Sequence, residues 1–169
     1  MLETLTLPVT LPTLTSPVTL RRAALDDVES VMTLLTDDPI SAARGDAADT
    51  PDVAIYSDAL HRITNNPSNE LLVCVDGDGH VVGTMQLTLI PGMARRGSTR
   101  LLVEAVRVAR QTRSGGIGSA LIQWVTATAA PALGSSLVQL TSDVARTDAH
   151  RFYTRLGFED SHVGFKYVV

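Results

Sequence analysis

Arg113-Ser114-Gly115-Gly116-Ile117-Gly118 carries the strongest chemical signal in the chain. Three glycines let consecutive backbone N–H groups converge on one point, and the start of a helix adds the positive end of its dipole, so the natural guest is a phosphate or pyrophosphate. Taken alone, the same residues would also suit a flexible strand-to-helix loop. A dinucleotide is disfavoured. A Rossmann turn needs Gly-x-Gly-x-x-Gly/Ala straight after its strand, whereas Gly116-Ile117-Gly118-Ser119-Ala120 runs into Leu121 and the link over 110–115 is too long for that turn. A P-loop is excluded, because the only lysine, Lys166, follows no glycine-rich loop. Its place near the C-terminus also argues against Schiff-base chemistry.

The chain that must position this turn has 169 residues, 44% of them hydrophobic, 19% charged and 4% aromatic. That is one domain of ordinary size. It is long enough to bury about 70% of its unfolded surface, so no disulfide or structural metal is needed to hold it. Cys74 is the only cysteine, and His61, His80, His150 and His162 are too scattered for a zinc module, so no metal is assigned. Net charge −4 and seven aromatics make nucleic acid a poor partner. No apolar run approaches the roughly 20 residues of a membrane span, and the N-terminus lacks the pattern of a secretory signal. A soluble cytoplasmic protein is the expectation.

Residues 1–17 are rich in Thr, Leu and Pro and read as an extension, loose or docked, ahead of a single domain over 18–169. Val18 and Leu20 mark a short strand. Asp26 with Glu29 resembles a capping box opening a helix with Val28, Val31, Met32 and Leu35 on one face. Thr50-Pro51 reads as the start of a second helix, with Val53, Tyr56, Leu60 and Ile63 apolar. Strands over 71–75 and 81–90 flank the turn Asp76-Gly77-Asp78-Gly79. A long strand over 100–108 precedes the glycine turn, and a helix over 116–129 follows it. A buried strand over 137–140 leads to a helix with Ala149, Phe152, Tyr153 and Leu156 on one side, stopped by Gly157. Phe158 and the segment to Val169 read as final strand. The order describes one mixed α/β domain.

Arg113-x-x-Gly116-x-Gly118 after Val106-x-Val108 resembles the acetyl-CoA pyrophosphate motif of the GNAT N-acetyltransferase superfamily. Asp148-Ala149-His150-Arg151-Phe152-Tyr153 with Gly157-Phe158 resembles that superfamily's second signature. Residues 141–166, with Ser161-His162 and Phe165-Lys166, are similar to the branch containing aminoalkylphosphonate N-acetyltransferases. The likeness runs from about Val18 to the end of the chain. It implies an α/β (α+β) acyltransferase fold: a mostly antiparallel central sheet of 6–7 strands, helices on both faces, and a splay between two central parallel strands.

The resemblance implies acetyl-CoA as co-substrate. Its pyrophosphate would lie on Arg113, Ser114, Gly115, Gly116, Ile117 and Gly118, and its pantetheine along Val106 and Val108, with Asp143 where the family often has Asn. An amine with a pKa near that of lysine, about 10, is mostly protonated at neutral pH, so a base helps. Glu104 is the candidate, four residues before Val108 and on its face by period 2, where many members carry a carboxylate. Tyr153 matches the general acid that returns a proton to the departing thiolate. Arg110, Arg151 and Arg155 are candidate partners for phosphates. Some enzymes of the aminoalkylphosphonate-like branch use a divalent ion; none is assigned here. The implied reaction is acetyl transfer to the primary amine of a small molecule. A protein amine as acceptor, or a non-catalytic acyl-CoA-binding module, are the alternatives, and homodimers are common in the superfamily. Acceptor choice falls to residues 36–52, acidic through Asp37, Asp38, Asp46 and Asp49, and to residues 92–99, basic through Arg95 and Arg96.

Overall fold

In the computed structural model, which describes residues 1–43, 45 and 48–169, six strands pair in the order in which the chain lays them down. They are β1 (Val9–Leu11), β2 (Val18–Arg22), β3 (Asn69–Val75), β4 (Val81–Pro91), β5 (Thr99–Val108) and β6 (Leu137–Leu140). Each pairs antiparallel with the next except the last, which runs parallel to β5. A parallel neighbour requires a crossover. The four longer helices are α1 (Val28–Thr36), α2 (Val53–Thr64), α3 (Ile117–Trp124) and α4 (Thr147–Arg155), and α3 lies on that crossover.

Alternation along the strands sends side chains to two cores. Leu20, Leu72, Cys74, Met85, Leu87, Leu101 and Val103 face α3 and the turn after it, where Leu121, Ile122 and Val125 meet them. Leu71 and Val73 face α1 and α2 through Val31, Met32 and Leu60. Full burial of one such side chain is worth about 1.5–3 kcal/mol. Cys74 is wholly buried among these residues, and burial pushes its thiol up to about 12.

Residues 1–17 are folded against the same core: Leu2, Leu5 and Leu11 are buried beside Val18 and Leu20. Arg22 clamps them, its guanidinium donating to the carbonyls of Leu2, Glu3 and Leu5 while Nε holds Glu70 at 2.8 Å.

Three local expectations need correction. The Asp27 carboxylate closes the 3-10 turn Leu25–Asp27 just ahead of α1, accepting from Ala24 N at 2.7 Å and from both terminal nitrogens of Arg21, and α1 itself has no side-chain cap from an Asp26 and Glu29 pair. The helix expected over 116–129 is regular only to Trp124. A π turn over Val125–Ala129 follows, just before Pro131, which has no N–H to donate to Ala127. Residues 158–169 form no strand, and everything after Phe158 is exposed. A period-2 apolar pattern gives a segment the capacity to be a strand, but a strand exists only when a neighbour accepts its hydrogen bonds.

Candidate active site

The parallel pairing of β5 with β6 runs from Arg100 opposite Leu137 to Val103 opposite Leu140 and then stops. Beyond it β5 continues to Val108 with β4 on one side only. Residues 104–108 therefore turn an unpaired backbone edge into the gap between the diverging strands.

A β-bulge lies at the mouth of that gap. Gln86 pairs with Glu104 and Thr84 with Arg107, so Ala105 and Val106 together oppose Met85. Ala105 takes φ +51°, a conformation costing an alanine about 1–2 kcal/mol. The extra residue changes the strand's phase. Glu104 shares the face of its partner Gln86, on the α1 and α2 side, whereas Val106 and Val108 pack on the α3 side. The shared face expected for Glu104 and Val108 is therefore wrong by one bulge. The strand partner of Glu104, Gln86, and its neighbour Ala105, though not the exposed Glu104 itself, line a cavity of ≈ 190 Å³ together with Ala24, Val28, Tyr56 and Leu60.

On the other face the glycine turn closes over the start of α3. Ser114 and Gly116 take φ +68° and +91°, alternating with residues of ordinary hand to form a concave run of N–H groups. Gly115 N–H is used by Thr112 O. Among the described residues nothing accepts from the N–H of Ser114, Gly116, Ile117 or Gly118, which leaves them for an anion. Ser114 adopts the left-handed conformation a glycine would take more cheaply. Side chains are excluded by space: a Cβ on Gly116 would lie 3.0 Å from Leu14, and one on Gly118 3.3 Å from Phe152. The donor set of the cradle thus suits a pyrophosphate, and the glycines in it are required by the close approach of Leu14 and Phe152. Arg113 is held outside it, Nε donating to Val108 O and the terminal nitrogen to Asp37, and Arg110 also reaches Asp37, at 3.3 Å.

The contact between Gly118 and Phe152 joins the two sequence motifs in space. Tyr153, the next residue of α4, packs edge-on against Phe152 and Phe158, with ring centroids 5.1 and 5.7 Å apart. Burial raises its phenol above the usual tyrosine range, and the positive charges of Arg107 and Arg146 pull the other way. It stays protonated at neutral pH, as a proton donor must.

Sequence reasoning missed Arg107 and Arg146, and read Asp38 only as one acid of an acceptor loop. Asp38 follows α1, Arg107 lies on β5 beyond the bulge, and Arg146 stands just before α4. The buried Asp38 carboxylate accepts from Arg146 and lies 3.5 Å from Arg107 Nε. Burial alone would raise the Asp38 carboxyl, but the hydrogen bond from Arg146 and the backbone N–H of Ile40 hold it below the usual carboxylate range. No local motif announces three residues so far apart in sequence. Asp143 sits in the connection from β6 to α4, where its side chain accepts from Ala145 N and its carbonyl from Arg146 N. Of the loops expected to read the acceptor, Asp46 lies outside the described residues; Arg95 and Arg96 are exposed at φ +52° and +61°. Asp76, Asp78 and His80 gather within 4.8 Å at the exposed turn after β3, where Asp76 is already engaged by the N–H groups of Asp78 and His80.

The model of the acetyltransferase (GNAT) family matches residues 29–158. The chain belongs to that family. It is 45% identical over 49 residues to an aminoalkylphosphonate N-acetyltransferase of Salmonella typhimurium, a stretch covering 29% of this chain and 31% of that protein. A structure described as a transcriptional regulator from Bacillus halodurans superposes with a TM-score of 0.84 at 38% identity, covering 90% of this chain and 99% of that one. Arabidopsis thaliana glucosamine-6-phosphate N-acetyltransferase shares the fold, with a TM-score of 0.71 at 14% identity over 89% of this chain and 97% of that one. Among the described residues, no helix is long and apolar enough to cross a membrane.

Proposed function

We propose that the protein transfers the acetyl group of acetyl-CoA to the primary amine of a small molecule, with Glu104 as base and Tyr153 as acid. The observation that supports this is the packing of Phe152, the residue before Tyr153, on Gly118 of the anion cradle. Acetyl-CoA would lie with its pyrophosphate on the N–H groups of residues 114–118 and its pantetheine amides along the edge of Val106 and Val108. The acceptor would come from the opposite face, through the cavity beside Glu104. The amine arrives mostly protonated at neutral pH. Glu104 takes its proton, the free lone pair attacks the thioester carbonyl, and Tyr153 supplies a proton to the departing sulfur. The bulge makes this arrangement workable, because it turns the carboxylate toward the acceptor while the strand's edge stays with the co-substrate.

The cavity admits a small acceptor body and favours that class over a protein amine. Aminoalkylphosphonates head the panel of acceptors to be tried, on the strength of the Salmonella relative. Isothermal titration with acetyl-CoA, followed by a thiol-release assay over aminoalkylphosphonates, polyamines and amino acids, tests the reading. Saturable binding with release for one class is the expected result; absence of binding would overturn it. We also propose a homodimer. Val163, Phe165, Tyr167 and Val169 are exposed at alternate positions of the C-terminal segment, and β6 ends the sheet with an open edge to which a second copy's segment could pair. Sedimentation at twice the chain mass, reduced to one by Phe165→Asp with Tyr167→Asp, is the expected outcome. A parent chain sedimenting at single mass overturns it.

A further inference from the structure

The turn between β1 and β2, residues 12–17, lies outside the stretch the family model matches. Its tip nevertheless rests on the glycine turn. Leu14 N–H donates to Gly115 O at 2.8 Å. Leu14 N and Cγ each lie 3.0 Å from where a Cβ on Gly116 would be, and Thr15 Oγ1 lies 3.2 Å from the equivalent point on Gly115. We infer that the Leu14 N–H is a positioning group of the CoA pyrophosphate site, acting by fixing the orientation of the Gly115–Gly116 peptide. The inference rests on the reading that this turn receives acetyl-CoA.

The argument is geometric. In a trans peptide the C=O and the following N–H point in opposite directions. Holding Gly115 O toward Leu14 therefore aims Gly116 N–H away from it, as one of the open donors of the cradle. Both residues of this peptide are glycines, for which either hand of backbone is accessible at little cost. The freedom that allows a concave run of N–H groups also allows the peptide to flip. A flipped peptide would present a carbonyl oxygen to the phosphate in place of a donor. A hydrogen bond from outside the turn removes that alternative.

The tether is itself anchored. Thr13 Oγ1 donates to Ser16 O at 2.7 Å and accepts from Thr15 N at 3.3 Å. The strands on either side are in register from Val9 opposite Leu20 to Leu11 opposite Val18. Leu11, Val18 and Leu20 reach into the main core. Leu14 as a residue is 83% exposed and belongs to no core cluster, so the part that matters is its backbone N–H. That separates two substitutions: Leu14→Pro deletes the donor, and Leu14→Ala keeps it.

Calorimetric titration with CoA is the test, because it reads binding without turnover. Leu14→Pro is expected to raise Kd about tenfold, the scale of one hydrogen bond's organisation, with Leu14→Ala within about twofold of the parent. Hydrogen exchange on the unmodified chain gives a second reading that needs no variant: the Leu14 amide is expected to be protected before CoA is added, and the Gly116 amide only after. A Leu14 amide exchanging at the free-peptide rate, equal binding by all three proteins, or equal loss in both variants would overturn the inference while leaving the CoA reading intact. A parent chain that does not bind CoA would overturn both.

Discussion

At the glycine turn the groups that would meet a ligand are backbone N–H groups of neighbouring residues, 114–118, whereas the groups proposed to do the chemistry are side chains collected from separate elements: Tyr56 from α2 and Gln86 from β4 at the acceptor cavity, Glu104 from β5 and Tyr153 from α4. A backbone site depends on conformation, and conformation is written locally, in glycines and their spacing. A side-chain site depends on which strands neighbour one another and where one of them bulges. The first kind of site leaves a motif; the second leaves residues with no visible relation until the sheet forms. The two kinds should also fail differently when altered.

The largest expected effect is at the side-chain end. Tyr153→Phe removes the proposed acid and should lower kcat by roughly one to four orders of magnitude, while CoA binding by calorimetry stays close to that of the parent. Burial holds the phenol up, so any alkaline loss of rate that Tyr153 causes in the parent should fall above pH ~10 and vanish in the variant. A CoA affinity that fell as far as the rate would erase the distinction between the two ends.

Next comes a test of the backbone end by bulk alone. Gly116→Ala adds a Cβ 3.0 Å from Leu14 at φ +91°, and should weaken CoA by about tenfold or more, through strain of about 1–2 kcal/mol. Asp38→Asn tests the cross-element tie. It leaves Arg107 and Arg146 facing a neutral amide and should cost about 2 kcal/mol of stability in chemical denaturation. The Asp38 carboxyl is depressed in the folded chain, so its contribution is present above the ordinary carboxylate pKa and is lost as pH falls through the folded value. The parent and variant stability curves should therefore converge in acid. The smallest effect is expected at Arg113→Ala: this side chain is half-exposed and already shared with Val108 O and Asp37, so CoA affinity should change only a few-fold and mostly at low salt.

The same contrast explains what could be read from residue order. Strand and helix types were legible over most of the chain because periodicity and turn chemistry are local, as was the left-handed stop at Gly157. The bulge was not, because its trace is slight: the adjacent apolar pair Ala105 and Val106 breaks the alternation, and in a strand rich in aliphatic residues such a pair reads equally as burial on both faces. Its consequence for Glu104 was therefore lost as well. Asp38 looked like one of several loop acids, and only the meeting of α1, β5 and α4 distinguishes it from Asp37, one residue away, which serves Arg110 and Arg113 instead. The C-terminal segment shows the opposite error: a pattern that was present, without the neighbour a strand requires.

Cys74 has a practical meaning for anyone measuring this reaction. It is the chain's only thiol, and a thiol at about 12 inside the core is neither ionised at assay pH nor reachable by an aromatic disulfide reagent. The protein therefore contributes almost nothing to the blank of a continuous colorimetric assay, and each equivalent of coloured product reports one CoA set free.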